Sequence, residues 1–323
     1  MEKQISYYLM DPTKNMTILV ETPVPEASFP FVAEQLMALE PSAEQVGFVC
    51  GGVAATEGLA VSGGERGLAT GAMPSLKMAG GEFCGNASMS AAVYYAMQGT
   101  QGFTDAGASH ANVPTDGCEI GEEKTILLQV SGASEPVEVQ VKRIRDESWQ
   151  GRVHMPKPVS VAEETFPDGS VHTVVRFEGI AHVIMDGAGA DMQQLSIEAL
   201  KQDPARAEAL AASWCKHLHV DAIGLMFLNE AHDGMCETRE GLIGRCLEMQ
   251  PLVYVPVAGT CIWESSCASG TTAAGAYLAQ QTGAGNYRLQ QPGGTLEIEV
   301  IPEGEYYLMG QVKVQRRQEV VLE

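Results

Sequence analysis

Two cysteines, Cys84 and Cys267, open what reads as one phrase written twice. Residues 82–96 run EFCGNASMSAAVYYA and residues 265–279 run SSCASGTTAAGAYLA. With the cysteines superposed, Ala91/Ala274, Tyr94/Tyr277 and Ala96/Ala279 also coincide, and most positions between exchange one small residue for another. Each phrase begins in a turn and continues into helix-tolerant residues. Asn86 and Ser269 are expected as the helix N-caps. A helix that is small all round is one enclosed by other structure.

A thiol at a helix start sits where the first N–H groups lack internal partners and the helix dipole leaves partial positive charge. An ordinary cysteine, with a pKa of about 8.5, is mostly thiol at neutral pH, and this setting favours the thiolate. The same amides can hold a carboxylate. One such site suggests a nucleophile or a redox thiol. Two related sites suggest thiols approaching one substrate from opposite sides, which is the arrangement that inverts an α-carbon. One thiolate removes the proton from one face, the other thiol delivers a proton to the opposite face, and the helix amides offset the developing negative charge. The blander reading makes both cysteines packing residues. Duplication, with Gly85 or Ala268 directly after the cysteine, favours chemistry.

The rest of the chain must hold these two phrases. A length of 323 residues fits two domains better than one core. The 45% apolar and 19% charged content is that of a soluble globular chain. A net charge of −21 without a basic run excludes nucleic acid and anionic membranes as expected partners. The N-terminal MEKQISYYLMDPTKN has no secretory apolar core, and no window resembles a membrane span. A cytoplasmic setting with reduced thiols is therefore expected for the eight cysteines. No Cys/His cluster has zinc spacing, so no metal is expected. His217 and His219 read as surface residues.

Short strand-like runs fill both halves: MTILVET, KTILLQV, PVEVQVKRI and GRVHMP first, then VHTVVRF, AHVIM, AIGLMFLN, PLVYVPV, TLEIEV and YYLMGQVKVQ. Helices are expected at FPFVAEQLMALEP, on both sides of Pro204, and in the two cysteine phrases. The crossing between halves is placed near Trp149 and Gln150, and TDAGASHANVPTDGCEIGEE and NEAHDGMCETREGLIGRC read as polar surface loops. Glycine-rich CGGVAATEGLAVSGGERGLATG lacks both nucleotide-loop patterns, so a nucleotide is not expected. Only Lys77 lies near a motif where a pyridoxal Schiff base would need a lysine, so no cofactor is expected either.

MAGGEFCGNAS, ESSCASGTT, QPGGTLEIEV and the early KNMTILV resemble the cofactor-independent diaminopimelate epimerase family, and within it the histidine racemase branch. The resemblance implies an α+β fold of two pseudo-symmetric domains, each a set of β-strands wrapped around a central helix, with the active site in the cleft between them. The expected domains are 1–149 with a return strand at 306–323, and 150–305. It implies Cys84 and Cys267 as the acid/base pair. Substrate-binding roles fall to Gly85 and Asn86 on one helix and to Ala268, Ser269 and Gly270 on the other. Asn15, Ser75, His182 and Glu264 complete the expected set. The partner is a small amino acid, and a homodimer is compatible with the reading.

Departures narrow the substrate. Diaminopimelate epimerases read Asn-Pro-His where this chain has Ile180-Ala181-His182, an asparagine near Gly224, and Glu-Arg-Gly where it has PVAGTCIWESSC. Without those groups a distant second carboxylate would lose its charge-assisted partners. A smaller or aromatic side chain near Ile180, Trp263 or Glu264 fits better, and the WESSCASGT form points to histidine. Glu264 is read either as an acceptor for an imidazole or as a loop cap. His182 is read as tuning Cys84, as binding substrate, or as a hydrogen-bonded core residue. Trp263 is packing or pocket wall. The alternatives are diaminopimelate or proline-type isomerisation, the latter weakened by the lack of a Cys-Gly-His motif, and, from another class, a redox-responsive amino-acid-binding protein.

Overall fold

A computed structural model describes residues 3–50, 73–98, 118–186, 196–237 and 243–322. The glycine-rich stretch after Cys50 and most of the first polar insert lie outside the described residues. The fold is α+β, and the chain divides into two compact units: Met1–Pro12, Met16–Val153 and Gln311–Glu323 in the first, Thr13–Asn15 and His154–Gly310 in the second.

In the first unit, β1 (Lys3–Pro12), β2 (Thr17–Val20), β3 (Gln45–Cys50), β4 (Ser75–Met78), β5 (Glu123–Val130), β6 (Val137–Arg145) and β7 (Ser148–Met155) lie side by side in chain order. The final strand, β16 (Tyr306–Leu322), pairs with β1 from Lys3↔Leu322 to Pro12↔Val312 and neighbours β7. The strand order therefore returns on itself. Enclosed by these strands is α2 (Gly85–Met97), the first cysteine phrase. Every residue of it from Gly85 to Val93 is buried, which is why all of them are small, polar-neutral or unbranched except Val93. A Cβ on Gly151 of β7 would lie 2.9 Å from the Met89 side chain, so that strand's backbone touches the helix directly. Helix α1 (Phe29–Leu39) covers the sheet from another side, with Phe29 stacked 3.7 Å from Phe48. Tyr7 and Arg316 both bond the buried Glu40 carboxylate, Arg316 at 2.6 and 2.7 Å, tying β16 to the end of α1.

The second unit contains β8 (Ser160–Thr165), β9 (Val171–Phe177), β10 (Ile180–Asp186), α3 (Ile197–Gln202), α4 (Pro204–Leu218), β11 (Ile223–Glu237), β12 (Ile243–Val255), β13 (Thr260–Trp263), α5 (Ala268–Thr282), β14 (Gly285–Gln291) and β15 (Gly294–Val300). Its strands run β8-β9-β10-β11-β12-β14-β15, with β13 on β12, and the start of β16 pairs with β15. From β9 onward the pairings read antiparallel, parallel, antiparallel, parallel, antiparallel, antiparallel. The first unit, read from β1 to β7, gives the same series. Helices interrupt at matching points: α1 corresponds to α3 and α4, and α2 to α5. The cysteine phrase is thus repeated because the topology around it is repeated. Gly275 lets α5 approach β15, since a Cβ there would stand 2.8 Å from Ile298.

Two expectations are corrected. NEAHDGMCETREGLIGRC is mainly the arms of the β11–β12 hairpin rather than a loop, paired through Met235↔Arg245 and Glu237↔Ile243. Strand pairing satisfies a backbone whatever the polarity of its exposed side chains. Among the described residues Cys50, Cys84, Cys118, Cys215, Cys261 and Cys267 are free thiols, but Cys246 on β12 is disulfide-bonded.

Candidate functional site

The turn from β4 into α2 is held on both sides. Ser131 Oγ accepts from the Met78 N–H and donates to the Glu82 carbonyl, each at 2.9 Å. Gly132, at φ +72, lies so close that a Cβ would stand 2.3 Å from the Phe83 nitrogen. Cys84 follows in extended geometry (φ −133, ψ 112) and is itself the N-cap. Its Sγ accepts from the Ala87 N–H at 3.5 Å and donates to Gln45 Oε1 at 2.9 Å. The Gln45 amide in turn donates from Nε2 to Thr17 Oγ1 at 2.7 Å. Ser88 returns a hydroxyl to the Cys84 carbonyl at 2.7 Å.

The second phrase repeats the cap. Cys267 (φ −116, ψ 111) is the N-cap of α5, and its Sγ accepts from the Gly270 N–H at 3.3 Å. Asn86 and Ser269, expected as caps, lie inside the first turns instead; the extended backbone ends two residues earlier in each, at the sulfur. Thr271 Oγ1 donates to the Cys267 carbonyl at 2.6 Å. Gln291 Oε1 accepts the Cys267 backbone N–H at 2.8 Å, while Gln291 Nε2 donates to Thr271 Oγ1 at 2.9 Å. Each cysteine is therefore served by a glutamine anchored on a threonine, at the thiol in one unit and at the backbone in the other.

The thiol environments differ as well. Burial pushes the Cys267 thiol well above its ordinary value, and the Glu264 carboxylate adds to this by its charge and by accepting the thiol proton. The Gly270 N–H and Ser269, whose Oγ lies 3.7 Å away, pull the other way and lose. The expectation that a helix start alone favours thiolate fails here, because the site is dry and a carboxylate is adjacent. Burial and Glu264 together hold the proton on the sulfur.

His182 is fully buried on β10 and sits opposite Gly224 of β11. A Cβ on Gly224 would fall 2.3 Å from His182 Nδ1, so the missing side chain makes room for the ring. Neither ring nitrogen has a hydrogen-bond partner among the described residues, which removes the reading of His182 as a hydrogen-bonded core residue. Burial lowers its pKa to about 3, leaving it uncharged. Met226 links this ring to the second phrase: its Cε would stand 2.7 Å from a Gly224 Cβ and its Sδ 2.2 Å from a Gly270 Cβ. Asn15 is buried in the Thr13–Asn15 segment of the same unit. A Cβ on Gly293 would meet Lys14 at 2.5 Å, Thr13 at 2.7 Å and Ser265 at 3.0 Å, which places that segment beside the second phrase.

Not every expected residue gathers there. Ser75 spends its hydroxyl on the Cys50 carbonyl at 2.8 Å and lies against Tyr95, eleven positions along the chain from Cys84. At 1.5 Å of rise per residue that is about 16 Å of helix away from the thiol. Trp263 packs against Phe227 at 5.5 Å and under Lys201 at 5.1 Å, as part of the core. Gly85, Asn86, Ala268 and Gly270 are buried in the two first turns, and Ser269 is half-buried. Gln45 and Met226 lie outside the runs that carry the resemblance, and Thr17, Thr271 and Gln291 lie within KNMTILV, ESSCASGTT and QPGG without being singled out there. Among the described residues, no three His, Cys, Asp or Glu side chains converge as metal ligands would. No described helix is long and apolar enough to cross a membrane.

Comparison with known proteins now adds to this geometry. The family described as histidine racemase CntK N-terminal domain matches residues 4–321. A histidine racemase of Fusobacterium nucleatum subsp. nucleatum is 28% identical over 313 residues, covering 96% of this chain and 94% of its own. One from Staphylococcus aureus is 25% identical over 301 residues, covering 91% and 88%. Among solved structures, a hydroxyproline epimerase from Agrobacterium vitis shares the fold at a TM-score of 0.57 and 12% identity, over 99% of this chain and 93% of its own. A phenazine biosynthesis protein of the PhzF family from Enterococcus faecalis does so at 0.50 and 13%, over 99% and 100%.

Proposed function

Since the chain belongs to the histidine racemase CntK N-terminal domain family and is an isomerase of the amino-acid racemase type, we propose that it interconverts L- and D-histidine without a cofactor, using Cys84 and Cys267 as the two proton carriers. The observation that carries the reading is the repeated cap: both sulfurs stand at the N-terminus of a buried helix and within reach of its free N–H groups. In the proposed cycle one sulfur, as thiolate, takes the α-proton while the other, as thiol, delivers one to the opposite face. The electron pair of the broken C–H bond spreads into the substrate carboxylate. The amides that follow Gly85 and Ala268 then hold that charge better in the transition state than in the ground state.

Glu264 has a distinct part in this reading. Together with burial it holds the proton on Cys267, which suits that sulfur to deliver one. Histidine as the substrate is supported by the names of the relatives and by the missing asparagines and arginine that a second amino-acid end would need. Asn15, carried beside the second phrase, and the first-turn residues Asn86 and Ser269 are the proposed substrate contacts.

Incubation with L-histidine in deuterium oxide tests the reading. D-histidine should form on a chiral column with deuterium at the α-carbon, and Cys84→Ala or Cys267→Ala should each lower the rate by about 10²- to 10⁴-fold. Full activity in either variant would remove the mechanism. Exchange with another amino acid but not histidine would keep the mechanism and change the substrate. No α-proton exchange with any amino acid would favour a binding protein.

A further inference from the structure

The two thiols are loaded differently, and the difference lies in a residue outside the cysteine phrases. Cys84 Sγ is 2.9 Å from Gln45 Oε1, and Gln45 Nε2 is 2.7 Å from Thr17 Oγ1. Thr17 and Gln45 face each other as the first residues of the parallel pair β2/β3. Thr17 is fully buried, so the amide that leans on it has one end fixed. With its NH₂ held by the hydroxyl, the amide presents its carbonyl oxygen to the sulfur. A carbonyl oxygen can only accept, so it bonds S–H and opposes S⁻. In the second unit the corresponding pair β10/β11 begins Ala181↔Ile223 and His182↔Gly224 and offers no amide. There the glutamine, Gln291, addresses the cysteine backbone and the proton acceptor is Glu264.

We propose that Gln45 is a positioning residue that, anchored by Thr17, holds the proton on Cys84 and aims its S–H bond. This rests on the two-thiol reading above. When Cys84 acts as the acid, its S–H bond breaks, the proton joins the substrate carbanion, and the electron pair stays on sulfur. The resulting thiolate keeps the Ala87 N–H but now faces the Gln45 oxygen, which favours prompt reloading. A neutral amide accepts the thiol proton at Cys84, and a carboxylate accepts it at Cys267. The two thiols are therefore held by unlike acceptors although the scaffold is duplicated.

The test is the rate at which iodoacetamide labels Cys84 at one fixed pH, read peptide by peptide with Cys267 as internal reference. Gln45→Leu keeps the side-chain bulk but removes the acceptor, and should speed Cys84 labelling about five- to tenfold. Gln45→Glu puts a negative charge against the sulfur and should slow it. Thr17→Val, which releases the amide but keeps Gln45, should shift Cys84 in the same direction as Gln45→Leu by a smaller factor. In racemisation, Gln45→Leu should lower kcat more than it changes KM. Equal labelling in all variants, or the same direction of change for leucine and glutamate, would overturn the proposal by making Gln45 merely structural. Slower labelling in Gln45→Leu would overturn it by showing the NH₂ against the sulfur. The labelling assay needs no turnover, so a protein that racemises nothing would sink the function reading without deciding this one.

Discussion

Replacing His182 by leucine should remove an acid sensitivity from the folded state. Its imidazole is wholly buried with both nitrogens unpartnered among the described residues, and burial lowers its pKa from 6.5 to about 3. The unfolded chain therefore binds a proton below pH 6.5 that the folded chain refuses until about pH 3. A state that binds fewer protons loses ground as pH falls, so stability drops progressively through that window. Between pH 7 and pH 5 the free-energy difference works out at about 2 kcal/mol, from 1.36 kcal/mol per pKa unit. Urea unfolding of both proteins at the two pH values measures it. The unaltered protein should lose about 2 kcal/mol more than His182→Leu on acidification, because every other titrating group cancels in the comparison. At pH 7 the leucine variant should be as stable or more so, since two orphaned polar atoms have gone. Parallel pH profiles would refute the reasoning, and would mean that the ring finds a partner or water that keeps its basicity.

Glu264→Gln removes the charge beside Cys267 and should lower that thiol's pKa, so iodoacetamide labels Cys267 faster at a fixed pH while racemisation slows because that sulfur holds its proton less firmly; unchanged labelling would show that burial alone sets the thiol. Gly132→Ala forces a side chain onto a left-handed residue whose Cβ would stand 2.3 Å from the Phe83 nitrogen. It should cost about 1–3 kcal/mol in thermal unfolding and lower kcat by shifting the turn that carries Cys84. A variant with the original melting temperature and activity would mean that the turn tolerates displacement.

Much of this architecture is legible in the sequence where periodicity or enclosure leaves a mark. The α2 residues are small on every side because strands surround them, and that uniformity is visible in GNASMSAAV before any coordinates. Strand β6 alternates buried and exposed from Val137 to Arg143, so its period is plain. By contrast β1, with Tyr7 to Met10 buried on both faces, is a continuous apolar run without a period, and its extended state follows only from pairing to both β2 and β16. The β11–β12 arms are polar and lack the hydrophobic signal, yet a long hairpin needs only backbone partners. The cap positions were misplaced by two residues because Asn and Ser are the commoner N-caps. A cysteine sulfur can accept the same N–H bonds when the backbone before it is extended. Gln45 had no signal at all: a single glutamine thirty-nine positions before Cys84 is tied to it only by strand register.

Duplication explains why the chemistry could become unequal without disturbing the frame. The matching series of strand pairings fixes where each buried helix begins and what its first N–H groups face. Both caps are then held by backbone geometry together with one hydroxyl from the next turn, Ser88 in the first unit and Thr271 in the second. The side chains on neighbouring strands are not needed for that. The position that holds an amide at Gln45 holds no polar group on β11, where Gly224 yields its space to His182 and Met226. The carboxylate that meets Cys267 comes from Glu264, directly after the β13 hairpin strand, which has no counterpart among the described residues of the first unit. A repeated scaffold sets two sulfurs in the same local pose, and unrepeated additions to it give one a neutral acceptor and the other a charged one. If the frame rather than those additions governed proton loading, exchanging Gln45 for glutamate and Glu264 for glutamine together would leave the two labelling rates unmoved. The difference in their environments requires that they move in opposite directions.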